Sequence, residues 1–205
     1  MGKIEQNKIR KRDSILTAAQ KIFQSSGFIG SNMDKIAEQA GVTKQTVYRY
    51  FKTKEALFQA VLEAQRMQGS DNFLEALQLA DNKEALTAFA IGFLKRHLSR
   101  EHLANVRLLV SEGPRVPEIT RSFYTLGPQK TEESLLRFLK DRFAIADGKD
   151  EINVFVSALL SMRMPVLTGL HAQPSETEIC EHAERTVRIF LRLCDLQSGE
   201  SAGKV

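Results

Sequence analysis

Apolar positions recur at helical spacing through almost the whole chain, and no alternating run long enough for a strand interrupts them. Ile15, Leu16, Ala19, Ile22 and Phe23 predict a first helix that ends near Gly27. From Ser31 to Phe58 the pattern predicts two short helices, a tight turn and the start of a third helix. Ser31 and Asp34 have capping-box spacing, Ile36, Ala37 and Ala40 give an apolar side, and Gly41 supplies a left-handed stop. Thr43 caps the second short helix, on which Val47 and Phe51 share a face. Thr53 caps the third, which starts at Lys54 and is expected to run past Gly69. Ile15 to Phe23 should form one core with Ile36, Val47, Phe51, Leu57 and Phe58.

From residue 83 the pattern stays helical, with breaks at Pro114, Pro117 and Pro128 and a short helix over EITRSFYT. The stretch from Pro128 to about Phe143 is another helix, and AIADGKD is a turn. Residues 151–170 carry Ile152, Phe155, Val156, Leu159, Leu160, Val166 and Leu167 along one stripe. Residues 175–196 carry Ile179, Val187, Ile189, Phe190, Leu191 and Leu193 around more than one face, so more than one surface must cover them. There is no internal repeat. The expected class is all-α, with a helix-turn-helix domain over residues 1–60 and a larger helical domain over 61–205.

At about 100° per residue, Gln45, Arg49 and Lys52 point away from Val47 and Phe51, with Thr46 and Tyr48 on the flanks. A short helix held by two apolar residues, with basic, amide and aromatic groups outward, suits a major groove. Arg reads guanine, Gln reads adenine, and Lys or Tyr holds phosphate. Lys44, Arg49, Lys52 and Lys54 face outward with no acid before Glu55, and Lys54 opens a helix whose N–H groups favour an anion. An ordinary helical hairpin with a solvated face has the same spacing; the charge on the outward face argues for the helix-turn-helix.

Composition adds direction. Of 205 residues, 42% are hydrophobic and 26% charged, which is ordinary for a globular protein. The net charge of +4 is unevenly spread: residues 1–60 hold 11 Lys/Arg against 5 Asp/Glu, and the rest is slightly acidic. Basic character therefore travels with the helix-turn-helix. The first seven residues read as a frayed terminus, and Lys8 to Arg12 as phosphate contacts. Cys180 and Cys194 share one helix, where the rise per residue sets them too far apart for a disulfide, and they read as packed thiols. No apolar run reaches membrane-span length and no signal-peptide core is present, so a soluble, cytoplasmic protein is expected.

The run IAEQAGVTKQTVYRYFKTKEALFQAVL, preceded by ILTAAQKIFQSSGF, resembles the DNA-binding signature of TetR/AcrR bacterial transcriptional regulators over residues 10–65. RLLVSEGPRVPEITRSFY more loosely resembles the regulatory half of AefR-like members. The resemblance implies that Lys44, Gln45, Thr46 and Arg49 face bases, while Tyr48, Tyr50 and Lys54 hold phosphates; the helical angles put Tyr50 partly inward. Asp34 stands where some relatives carry a basic DNA contact. The resemblance also implies pairing of the final two long helices with their copies as a homodimer interface, a small-molecule effector, and repression of transcription. A two-fold dimer reads two half-sites, which gives a specificity that one small helix-turn-helix alone rarely supplies.

Two polar residues sit on apolar stripes: His97 after Phe89, Phe93 and Leu94, and Arg163 after Leu159 and Leu160. A buried Arg needs an anion, for which Glu112 is a candidate, and a structural ion pair competes with an effector anchor. Met162 and Met164 adapt to apolar ligands or fill a core, and His97 reads as a hydrogen-bonded core histidine or helix-end residue as well as a ligand group. His97, Arg107, Met162 and Arg163 are the candidate effector residues. No GxSxG elbow, phosphate-binding loop, HExxH motif or metal-spaced Cys/His set occurs, so nothing calls for an enzyme, metal or cofactor. The competing reading is an architectural DNA binder without an effector, which leaves the C-terminal part unexplained.

Overall fold

The computed structural model describes residues 2–68 and 71–202, and among them it contains helices and no strand. The chain divides into two compact units, Met1–Gly69 with Ala104–Leu126, and Ser70–Leu103 with Gly127–Val205. The expected division at residue 60 marks the end of the motif, whereas packing returns a later segment to the first unit. The cause is visible in the core: Leu108 and Ile119 are buried among Ile15, Phe23, Ile36, Val47, Leu57 and Phe58.

In the first unit, α1 (Lys3–Ser26), α2 (Met33–Gln39), α3 (Lys44–Tyr50) and α4 (Lys54–Gln68) carry the motif. Helix α1 packs on α2 and α4, and α2 on α3. Helix α6 (Arg100–Glu112) enters the unit from Ala104, and α7 (Pro117–Leu126) packs on α4. Phe23, Phe28 and Phe58 meet pairwise at 5.3, 5.5 and 5.7 Å between ring centroids, two of the contacts edge-to-face, an arrangement aromatic rings favour. The expected core residues are buried, with Ile22 partly so.

Three stop-and-start signals act as expected. Gly41 has a φ of 67°, the left-handed value that ends a helix. The Thr43 hydroxyl accepts from Thr46 N–H at 3.2 Å. Thr53 accepts from Ala56 N–H at 3.1 Å, and both are side-chain caps of the usual kind. The cap of α2 differs by one residue. Asn32, not Ser31, accepts from Lys35 N–H at 2.8 Å. Ser31 is buried and donates to the Phe28 carbonyl at 2.6 Å, so its hydroxyl closes the preceding turn instead. The N-terminus is also more regular than its composition suggests. Helix α1 runs from Lys3, and Asn7 and Glu5 engage Arg10 and Lys8 one turn on. The expected passage of α4 beyond Gly69 lies outside the described residues.

The second unit holds a 3₁₀ segment (Asp71–Gln78), α5 (Asn82–His97), α8 (Pro128–Phe143), α9 (Lys149–Leu159), α10 (Arg163–Leu167) and α11 (Glu176–Ala202). Its core joins Phe89, Phe93, Leu135, Phe138, Phe155, Val187 and Phe190. Residues 151–170 do not form the single helix their stripe predicts. Helix α9 ends at Leu159, a 3₁₀ turn spans Leu160–Met162, and α10 is five residues long. Pro165 explains the break: it lacks the N–H that would bond back to Ser161, and its ring crowds that carbonyl.

The cap assignment has a direct consequence. Asn32→Ala should lower the stability of the first unit by about 1 kcal/mol, whereas Asp34→Ala, outside the cap, should cost less. Chemical denaturation of the two variants checks this; equal losses would reject Asn32 as the cap.

Candidate nucleic-acid interface and effector residues

Val47 is fully buried and anchors α3, which leaves Lys44, Gln45, Tyr48 and Arg49 along its outer face. Lys44 Nζ pairs with Asp34 at 2.9 Å, linking the starts of α3 and α2, and the carboxylate raises the lysine pKa. The pair is open to solvent and therefore weak and salt-sensitive. Asp34, an unexpected acid at this face, thus serves as a counter-charge to Lys44. Thr46 shares a 2.9 Å hydrogen bond between its hydroxyl and that of Thr43.

Tyr50 is half-buried, as the helical angles indicated. Its hydroxyl donates to the Lys8 carbonyl at 3.2 Å, and its ring lies under Arg49 at 5.7 Å. Lys52 is exposed in the bend after α3. Lys54 has the least expected environment. Its ammonium donates to the Phe28 and Ser31 carbonyls at 2.6 and 2.9 Å. It also sits 4.5 Å from the Phe28 ring centre, within cation–π range. Two of its three N–H groups are thereby directed into the turn between α1 and α2. Lys8, Arg10, Lys11 and Arg12 lie exposed along α1, with Arg12 over the Phe51 ring at 5.8 Å.

The four effector candidates divide between the two units. His97, Met162 and Arg163 belong to the second unit and Arg107 to the first. Arg107 is exposed and borders a cleft of about 440 Å³ together with Phe23, Leu108 and Glu112. Glu112, a candidate partner for Arg163, accepts from the Ile29 N–H at 2.7 Å. Arg163 is half-buried, burial lowers its pKa, and its Nε has no hydrogen-bond partner among the described residues.

The Nδ1 of His97 lies 2.8 Å from the Phe93 carbonyl. A carbonyl only accepts, so Nδ1 carries the proton. The His97 ring stacks on Phe93 at 3.8 Å and meets the His102 ring at 4.5 Å. Burial pushes His97 down to about 4 and His102 to about 2, and Arg96 and Arg163 push in the same direction. Both imidazoles are neutral at pH 7. His102 escapes a reading by periodicity, because a spacing of five residues matches no helical face; a helix end between the two brings them together. Sequence reasoning also missed the buried amide pair Gln65–Asn105 in the first unit, joined at 2.7 Å, with the Gln65 Nε2 lacking a partner among the described residues. Gln65 lies four residues after Val61 on an apolar face, which is the signal that could have revealed it.

A basic, exposed recognition helix on a three-helix support defines a helix-turn-helix unit. Comparison with known proteins agrees. The model "Bacterial regulatory proteins, tetR family" matches residues 15–61, and "AefR-like transcriptional repressor, C-terminal domain" matches residues 84–151. The chain is 40% identical over 94 residues to the transcriptional repressor NicS of Pseudomonas putida, a match that spans 43% of each protein. With the regulator UidR of Escherichia coli it shares 25% identity over 160 residues, 75% of this chain and 74% of that one. Among solved structures, the flavonoid-responsive regulator FrrA is 33% identical, with a TM-score of 0.72 over 90% of this chain and 96% of that chain. A TetR-family regulator from Mesorhizobium loti is 26% identical, with a TM-score of 0.77 over 91% and 97%. The chain belongs to the TetR family of bacterial transcriptional regulators, which are DNA-binding proteins and not enzymes.

The histidine pair makes the fold sensitive to acid. Each imidazole is charged in the unfolded chain below about pH 6.5 and neutral in the fold. The stability it contributes is therefore complete above about pH 6.5 and lost as pH falls toward about 4. Thermal melts between pH 7.5 and 5 should show the melting temperature falling, and His97→Phe should flatten the dependence by about one proton. A flat profile in the parent protein would reject the buried neutral pair.

Proposed function

We propose that the protein is a homodimeric repressor that binds a palindromic operator in the cytoplasm and is released from it by a small-molecule effector. The observation that carries this reading is the exposed outer face of α3, on which Gln45 and Arg49 stand one turn apart, Arg49 over the Tyr50 ring. Lys44, Gln45, Thr46 and Arg49 contact base edges, Arg49 suited to guanine and Gln45 to adenine. Tyr48, Tyr50, Lys52 and Lys54 hold phosphates, Lys54 through the N–H that the turn leaves over and the free N–H groups of α4. Lys44 exchanges Asp34 for DNA at little cost, since the pair is solvent-exposed.

Dimerisation through α9, α10 and α11 is supported by the apolar side chains these helices leave in solvent. Val154, Met164, Ile189 and Leu196 are each more than half exposed, and Ser157 and Ala158 beside Val154 are small enough for close helix approach. The effector reading rests on His97, Met162 and Arg163 in the second unit, with Arg107 as a separate contact. The names of FrrA, as flavonoid-responsive, and NicS, as a repressor, support response to a ligand and repression.

Selection from a random DNA pool by the purified protein should return a palindrome with half-site centres about one helical turn apart. No enriched sequence would reject sequence-specific regulation in favour of a general DNA binder. On the selected site, Gln45→Ala or Arg49→Ala should relax preference at one position, at about 1–3 kcal/mol for a bidentate contact. Lys54→Ala should weaken binding to all sequences and flatten the salt dependence by about one unit. An unchanged slope would leave Lys54 with its carbonyl contacts alone. Ile189→Glu should yield a monomer by sedimentation and abolish tight operator binding; a dimer would move the interface elsewhere.

A further inference from the structure

The turn between α1 and α2, residues 27–31, is held by side chains from distant parts of the first unit. Its own backbone contributes little: Gly27 N–H closes α1 on the Phe23 carbonyl, and the next amides leave the helical pattern. The Phe28 carbonyl receives the Ser31 hydroxyl and the Lys54 ammonium, and the Ser31 carbonyl receives Lys54 again. The Ile29 N–H donates to the Glu112 carboxylate at 2.7 Å, supplied from a position 83 residues later at the end of α6. Gly27 makes room for it. A side chain there would overlap the Glu112 carboxylate. The positive φ of Gly27 would strain any such residue besides.

The turn leads directly into α2. Asn32 caps α2 three residues after Ile29, and α2 carries α3 by packing. A hydrogen bond from an amide to an ionised acceptor is among the stronger ones a fold makes, even where it is partly open to water. We infer that Glu112 is a positioning residue for DNA binding: its carboxylate, delivered by α6 to the Ile29 amide, fixes the turn from which α2 and α3 are hung. Glu112 makes no DNA contact of its own, and as an anion it would repel phosphate. The role rests on the DNA-binding reading above, but the hydrogen bond can be tested without DNA.

The experiment compares Glu112→Gln, whose amide oxygen still accepts from Ile29, with Glu112→Met, which keeps the bulk and loses the acceptor. Both remove the charge. Amide hydrogen exchange at Ile29 is measured in the DNA-free full-length protein, and affinity and salt dependence are measured on the sequence that the parent protein selects. Glu112→Met should speed exchange at Ile29 by about tenfold and weaken operator binding roughly three- to tenfold, with an unchanged salt slope because no phosphate contact is lost. Glu112→Gln, which keeps a neutral acceptor, should lose less than Glu112→Met on both measurements. Gly27→Ala, by expelling the carboxylate, should behave as Glu112→Met does. Equal behaviour of Gln and Met would overturn the inference, since charge and not the hydrogen bond would then matter. So would a slow Ile29 amide in Glu112→Met. Failure of the parent to select any sequence would instead reject the operator reading, leaving the exchange comparison to decide the turn.

Discussion

The meeting of Phe23, Phe28 and Phe58 is what allows α2 and α3 to exist as helices. Each is seven residues long, well below the length at which a helix holds itself in water, so their order must come from tertiary packing. The three rings bring the end of α1, the turn after it and the start of α4 to one point. Ile36, Ala37, Val47 and Phe51 then complete the apolar surface around them. The geometry leaves α3 only Val47 as a fully buried residue, with Lys44, Gln45, Tyr48 and Arg49 exposed. A longer or more deeply buried recognition helix would be steadier and would have fewer side chains to offer.

That economy puts the burden of orientation on the segments flanking α2 and α3. The connection to α4 is capped by Thr53, and that from α1 is a turn whose carbonyls and amide must find partners outside regular structure. Lys54 supplies donors to two of the carbonyls, and Glu112 supplies the acceptor for the amide. The two side chains carry opposite charge and serve backbone groups of opposite polarity on the same short turn. Ionic groups within reach of solvent suit this task, because a turn on the surface cannot be secured by apolar packing alone.

Features encoded locally were legible in the sequence, and those created by chain return were not. Gly41, Thr43 and Thr53 act through residues within four positions of themselves, and the pattern of Val47 and Phe51 belongs to a single helix. Ser31 and Asn32 illustrate the limit of local reading: both cap helices well and stand side by side, so only the closure of the preceding turn decides between them. Pro165 was a readable signal, and the long apolar stripe around it concealed the break. The link between Glu112 and Ile29 spans 83 positions, and the place of α6 and α7 in the first unit depends on packing that no periodicity records. For the same reason Arg107 and Arg163, matched on residue type, fall in different units.

The second unit uses polar groups differently. His97 lies against Phe93, Phe73 and His102 with arginine charge nearby, an environment that disfavours the protonated form of either imidazole. Two imidazoles and a partly buried guanidinium are poorer core fillers than leucine. Among the described residues, Arg163 Nε has no hydrogen-bond partner. Shape alone does not require two imidazoles and a guanidinium in this unit, and the burial of the imidazoles ties its stability to pH.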